Sequence, residues 1–183
     1  AARAAKKRGR SPLRWGAAAA LVMYLLVFWD HVPTLLVHWY YCKEEAGIWV
    51  YKTPDQWKKN NPGVIENLPM PGPSGSRSKW EEFDGGSGIA NTYSLNERFN
   101  WIVKKQDISN LLPIIRKEQL VNDVTRNETL ARYVDFSTGN SVKNTIGPPG
   151  TLRFWMRIKH CSGGPENQDA LRKIRDELYG SRK

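Results

Sequence analysis

Between Arg14 and Lys43 the only formal charge is Asp30. The stretch opens WGAAAALVMYLLVFW, fifteen residues without a charge, and runs on through DHVPTLLVHWYYC. A bilayer core about 30 Å thick needs roughly 20 apolar residues at 1.5 Å each. The clean run alone is short of that, so residues from Asp30 to Val37 must help. Asp30 and His31 then fall near one interface, where an ionisable group costs less than at the centre. Pro33 kinks or ends the helix there. Aromatic residues gather at the ends, with Trp15 at one and Phe28, Trp29, Trp39, Tyr40 and Tyr41 at the other, as an interfacial belt requires. A buried helix of a soluble core and a cleaved signal peptide are the competing readings. Against cleavage, no small-x-small site follows the apolar run, so an uncleaved signal anchor is expected.

The flanks set the orientation. Residues 1–14 carry Arg3, Lys6, Lys7, Arg8, Arg10 and Arg14 with no acid, and these six account for most of the net charge of +10. A basic flank beside an apolar span stays in the cytoplasm. The expected organisation is a basic cytoplasmic tail (1–14), a transmembrane helix and membrane exit (15–41), and an extracytoplasmic α+β domain (42–183). The bilayer is the first partner. No nucleic acid is expected, because no aromatic is interleaved with the basic run to stack on bases. Gly16 and Ala20 form a small-xxx-small pair, which by itself does not define an oligomer.

Beyond the span, Ile48–Lys52 reads as a strand. Thr53-Pro54-Asp55-Gln56 carries a capping box with proline at the first helical position, and Asn60-Asn61-Pro62-Gly63 stops that helix. Residues 69–92 are rich in Gly, Pro and Ser and read as a long exposed loop, tethered by Trp80 and Phe83. Phe99–Val103 alternates as a strand. Ile108–Ile115 is demoted by Pro113 to a loop or edge strand. Glu118–Thr125 and Glu128–Phe136 read as two strands about a turn at Thr125-Arg126-Asn127, the second with Leu130, Arg132, Val134 and Phe136 on one face and Thr129, Ala131, Tyr133 and Asp135 on the other. Thr151–Lys159 has the strictest alternation, and Pro165–Tyr179 reads as an amphipathic helix with Leu171, Ile174 and Leu178 on one face. The fold class is α+β: an N-terminal transmembrane helix, then a small antiparallel sheet with a C-terminal amphipathic helix.

Candidate chemistry is sparse. Cys42 and Cys161 can pair as a disulfide if the domain lies in an oxidising compartment, closing a loop of about 120 residues. His38, Cys42, His160 and Cys161 are the set that would make a Cys₂His₂ metal centre. No metal is expected, since the spacing matches no standard finger and neighbours in a strand point to opposite faces. No cofactor is expected either: there is no GxGxxG or GxxxxGK[ST]. A hydrolase would have to use His160, and no GxSxG accompanies it. Asp123, Glu128 and Asp135 read as solvated strand acids, not as a catalytic dyad. No enzyme is expected. Arg153, Trp155, Arg157 and Lys159 share one face of the last strand, a cationic surface that could meet an anionic ligand or partner. Asn127-Glu128-Thr129 fits a glycosylation sequon, relevant only in a eukaryote.

Two blocks carry a resemblance. Cys42-Lys-Glu-Glu-Ala-Gly-Ile-Trp-Val-Tyr-Lys-Thr53, a Cys-x-x-Glu-x-Gly-x-x-Val-Tyr pattern, resembles the membrane exit of a group of small uncharacterised proteobacterial single-pass inner-membrane proteins with a periplasmic domain. The block LVNDVTRNETLARYVDFSTG (120–139) is similar to that group's Asp-x-x-Thr-Gly-x-x-Leu-Ala-Arg-Tyr hairpin, with Arg126-Asn127 in place of the Gly-bearing turn. Cys161-Ser-Gly-Gly also fits. The resemblance implies an envelope protein with its N-terminus cytoplasmic and its domain periplasmic. The role expected is structural or protein-interaction, with an envelope protein as partner. The alternative is a binding module that uses the cationic strand face. No reaction comes with it.

Overall fold

The computed structural model describes residues 12–64, 68, 77–139, 142 and 157–179. The chain divides into two compact units between Val37 and His38.

The apolar stretch forms two helices, α1 (Pro12–Phe28) and α2 (His31–Glu44), bent by 53° at the break between them. Pro33 explains where the break falls. Its ring excludes the carbonyl four residues earlier from helical geometry, which is that of Trp29. Once α2 has begun, the proline sits in its first turn, where its missing N–H is not needed. The carbonyl of Asp30 accepts the N–H of Thr34 at 3.0 Å and starts the new helix. Among the described residues no single helix is long and apolar enough to cross a membrane, whereas the bent pair has the length and composition to do so.

The second unit is an α+β domain on one six-stranded antiparallel sheet in the order β1-β6-β5-β4-β3-β2. Its strands are β1 (Gly47–Val50), β2 (Arg77–Phe83), β3 (Gly88–Ser94), β4 (Phe99–Asp107), β5 (Ile114–Asp123) and β6 (Glu128–Thr138). Strands β2 to β6 form a meander, and β1 closes the far edge against β6. The short helix α3 (Pro54–Asn60) starts at the expected capping box. Gln56 N–H donates to Thr53 Oγ1 at 3.2 Å, and Thr53 N–H donates to Gln56 Oε1 at 3.1 Å. Helix α4 (Gly164–Tyr179) buries Leu171 and Leu178 with Trp57, Phe99, Val121, Leu130, Ala131 and Tyr133, with Ile174 packed against them.

Four expectations are corrected. Two thirds of the supposed loop at 69–92, residues 77–92, is the β2–β3 hairpin, turned by Asp84-Gly85-Gly86, all at positive φ. Only residues 108–113 of the segment around Pro113 stay irregular, and Ile114 opens a central strand. Of the strand expected over 151–159, residues 151–156 lie outside the described residues, and 157–159 are not a strand. There Ile158 N–H is taken by the Thr138 hydroxyl at 3.0 Å instead of by a ladder carbonyl. Finally, Leu130 and Ala131 both enter the core instead of facing opposite ways. The register shifts opposite Val121/Asn122, so one extra residue bulges and the facing parity changes.

The hairpin turn that lacks glycine is nonetheless tight. Asn127 takes φ 49°, the left-handed region that asparagine tolerates. Asp123 Oδ1 accepts the N–H groups of Thr125 (3.0 Å) and Arg126 (3.3 Å).

Candidate functional site

Strand β6 has eleven residues and β1 only four. Pairing with β1 ends at Val134–Gly47, so residues 135–138 present an open edge. Val134, Phe136 and Thr138 have the parity that points backbone groups toward that edge. Two segments cover it: the end of α2 and the chain from 158 to 164.

From α2, His38 Nε2 donates to the Phe136 carbonyl at 3.2 Å, and Tyr41 stacks on the Phe136 ring at 5.2 Å. Cys42, one turn after His38, is joined to Cys161 in a disulfide with the Cα atoms 5.4 Å apart. From the other side, the Ile158 carbonyl accepts Thr138 N–H at 2.8 Å. Asp135, only 1 % exposed, accepts Cys161 N–H at Oδ1 (2.9 Å) and His160 Nδ1–H at Oδ2 (2.6 Å). The Tyr133 hydroxyl donates to the Gly164 carbonyl at 2.9 Å. Burial, and after it the charge of Asp135, push the Tyr133 hydroxyl above its ordinary pKa. Gly164 must be small: a Cβ there would lie 3.0 Å from His160 Cβ and 3.3 Å from Asp135 Oδ1. Across the sheet from Asp135, Lys117 donates from Nζ to the Lys159 carbonyl at 3.2 Å. Its pKa is lowered by burial, against an opposing pull from Asp135.

The arrangement is a clasp. It fastens the end of α2 and the start of α4 to the same half of β6, by one covalent bond and a set of buried hydrogen bonds. Of the four residues weighed for a metal, His38, Cys42 and Cys161 do converge, with donor atoms within 4.8 Å of one another. His160 is turned away to Asp135. Asp135 and His160 form a carboxylate–imidazole pair, but among the described residues His160 has no other hydrogen-bond partner and no hydroxyl or thiol nucleophile is aligned with it. Of the expected cationic face, Arg153 and Trp155 lie outside the described residues, while Arg157 and Lys159 are exposed and stand on no strand.

Asp123 and Asp135 are not the solvated acids they were expected to be; both are buried. Asp123 also accepts from Trp57 Nε1 (3.0 Å) and Arg98 Nε (3.1 Å), with Arg98 reaching Asn61 Oδ1 at 3.2 Å. This network ties α3 to the sheet. Glu128 pairs at the surface with Lys52.

Comparison with protein-family models, with curated proteins and with solved structures gives no match to this chain.

Proposed function

We propose that this chain is a single-pass, membrane-anchored protein of the bacterial envelope, whose α+β domain stands in the periplasm in a structural or protein-interaction role. The observation that carries the reading is α1. Its apolar side chains face outward all round: Leu13 is 81 % exposed and Leu26 70 %, and Leu21, Val22, Met23 and Leu25 are each more than half exposed. A helix apolar on every face is a helix to be surrounded, and a bilayer does this without a further protein. The exposed aromatics Trp39 and Tyr40 near the end of α2 suit the headgroup level. The disulfide supports a compartment outside the cytoplasm, and the basic flank supports a cytoplasmic N-terminus. The resemblance to periplasm-facing single-pass proteins agrees. In this role the clasp fastens residues 38–42 and 158–164 to β6 within the folded domain. No reaction and no cofactor are assigned.

Thiol labelling in intact cells with a membrane-impermeant maleimide tests this. Both cysteines should label only after reduction. Labelling that appears only on lysis, and without reduction, would reverse the topology and end the proposal.

A further inference from the structure

The face of the sheet opposite α4 carries a second polar feature, away from the clasp. Phe83, Gly88, Gln106 and Arg116 are successive cross-strand partners on β2, β3, β4 and β5, and so share one face. Gly88 leaves the row open. A Cβ there would lie 2.4 Å from the Phe83 ring, so the ring lies across the strand only because glycine is beneath it. Beside the ring is a cleft of about 190 Å³ lined by Phe83, Lys104, Gln106, Arg116 and Glu118. That is room for several heavy atoms, well beyond a single water.

The charges in this cleft are unevenly matched. Glu118 is taken by Arg132 through Nε. Asp84 is taken by Ser87 Oγ at 2.7 Å and by Gln106 Nε2 at 2.9 Å. Lys104 and Arg116 are left over: among the described residues neither side chain makes a hydrogen bond or an ion pair. Arg116 Nε is in addition fully buried with no acceptor. A buried donor without an acceptor is costly, and a guanidinium presents its N–H groups in a fork matched to a tetrahedral or planar oxyanion.

We propose that this cleft binds a phosphate-type oxyanion, held by the Arg116 guanidinium and the Lys104 ammonium against the Phe83 ring. The source is either a free phosphate compound or the headgroup of an anionic phospholipid. The inference does not rest on the membrane reading, since the cleft lies wholly within the folded domain.

Calorimetric titration of the full chain in neutral-detergent micelles with inorganic phosphate at low ionic strength tests it. Binding is expected, weakening as salt is raised. Arg116→Gln and Lys104→Gln should each weaken it about tenfold. Lys105→Gln, whose side chain alternates to the other face, should leave it unchanged. Should Arg116→Gln fail to fold, Lys104→Gln decides alone. No phosphate binding by the wild type, or binding by the Arg116 and Lys104 variants as tight as that of the wild type, would overturn the proposal. Repeating the titration in phosphatidylcholine nanodiscs with and without phosphatidylglycerol separates the sources. Competition by the anionic lipid supports a headgroup ligand, and its absence supports a free oxyanion.

Discussion

At the scale of single residues, the groups that matter most in the folded domain are polar ones that alternation assigns to a wet face. By alternation Asp135 shares a face with Tyr133 and Ala131, opposite Leu130, Val134 and Phe136, and a strand with one apolar face leaves such an acid in water. In the structure both faces of β6 are covered, so Tyr133 and Asp135 are as buried as Phe136. The sequence sign was present in the β-branched and aromatic density of this strand, but which segment covers its second face depends on contacts distant in the chain. The Tyr133 hydroxyl reports on this burial. Its folded pKa lies above the ordinary value of 10.0. Between those two values the unfolded chain has released the proton and the folded chain still holds it. The stability contribution is therefore complete below about pH 10 and falls as pH rises from there, by up to about 1.4 kcal/mol per pH unit. Lys117 acts in the opposite sense, because its lowered pKa makes stability rise with pH up to its ordinary value. Tyr133→Phe should remove the decline and cost about 1 kcal/mol at neutral pH through the lost bond to Gly164. Denaturant unfolding of both proteins at neutral pH and above pH 10 is the check. An unchanged decline in the variant would show that another group causes it.

At the scale of elements, legibility followed the range of the interaction involved. The capping box of α3 and the apolar stripe of α4 are local, and both are where the residues indicate. The β2–β3 hairpin is local too. Its Asp84-Gly85-Gly86 turn is a recognisable hairpin signal, masked by the Pro- and Gly-rich residues that precede it. The bulge at Leu130 and the bond of Ile158 N–H to the Thr138 hydroxyl have no local signature, since each is set by a distant strand. The β5–β6 turn offers a direct test of element geometry. Asn127 supplies the left-handed residue that glycine commonly supplies in tight turns. Asn127→Gly should leave stability within about 0.5 kcal/mol of the wild type, whereas Asn127→Ala should cost about 1 kcal/mol, because a Cβ without a compensating polar group is strained there. Equal unfolding midpoints for all three proteins would mean that this turn relaxes without cost.

At the scale of the whole molecule, the pairing of Cys42 with Cys161 was legible as a possibility, and its partners were not. The sequence shows two cysteines 119 residues apart. It does not show that Asp135, Thr138 and Tyr133 hold the chain around the second one through hydrogen bonds to Cys161 N–H, Ile158 N–H and the Gly164 carbonyl. These non-covalent contacts decide how removing the disulfide is felt. Releasing a closed loop of that length costs up to about 4.7 kcal/mol by chain entropy. The buried hydrogen bonds at Cys161 N–H, His160 and Gly164 do not depend on the sulfur atoms. Cys42→Ser with Cys161→Ser should therefore keep the native fold while losing roughly 3 to 4 kcal/mol of stability, within that same entropic limit. Adding Asp135→Ala should then abolish protection of the segment around 157–164, because the carboxylate that holds the 160–161 backbone is gone. Limited proteolysis of the full chain in detergent micelles reads both steps. The sites exposed first should lie around 157–164, where the clasp opens, while β2 to β5 remain protected. Equal resistance of the double variant and the wild type would remove the disulfide from any stabilising role and leave the buried carboxylate as the group that holds the 160–161 backbone to β6.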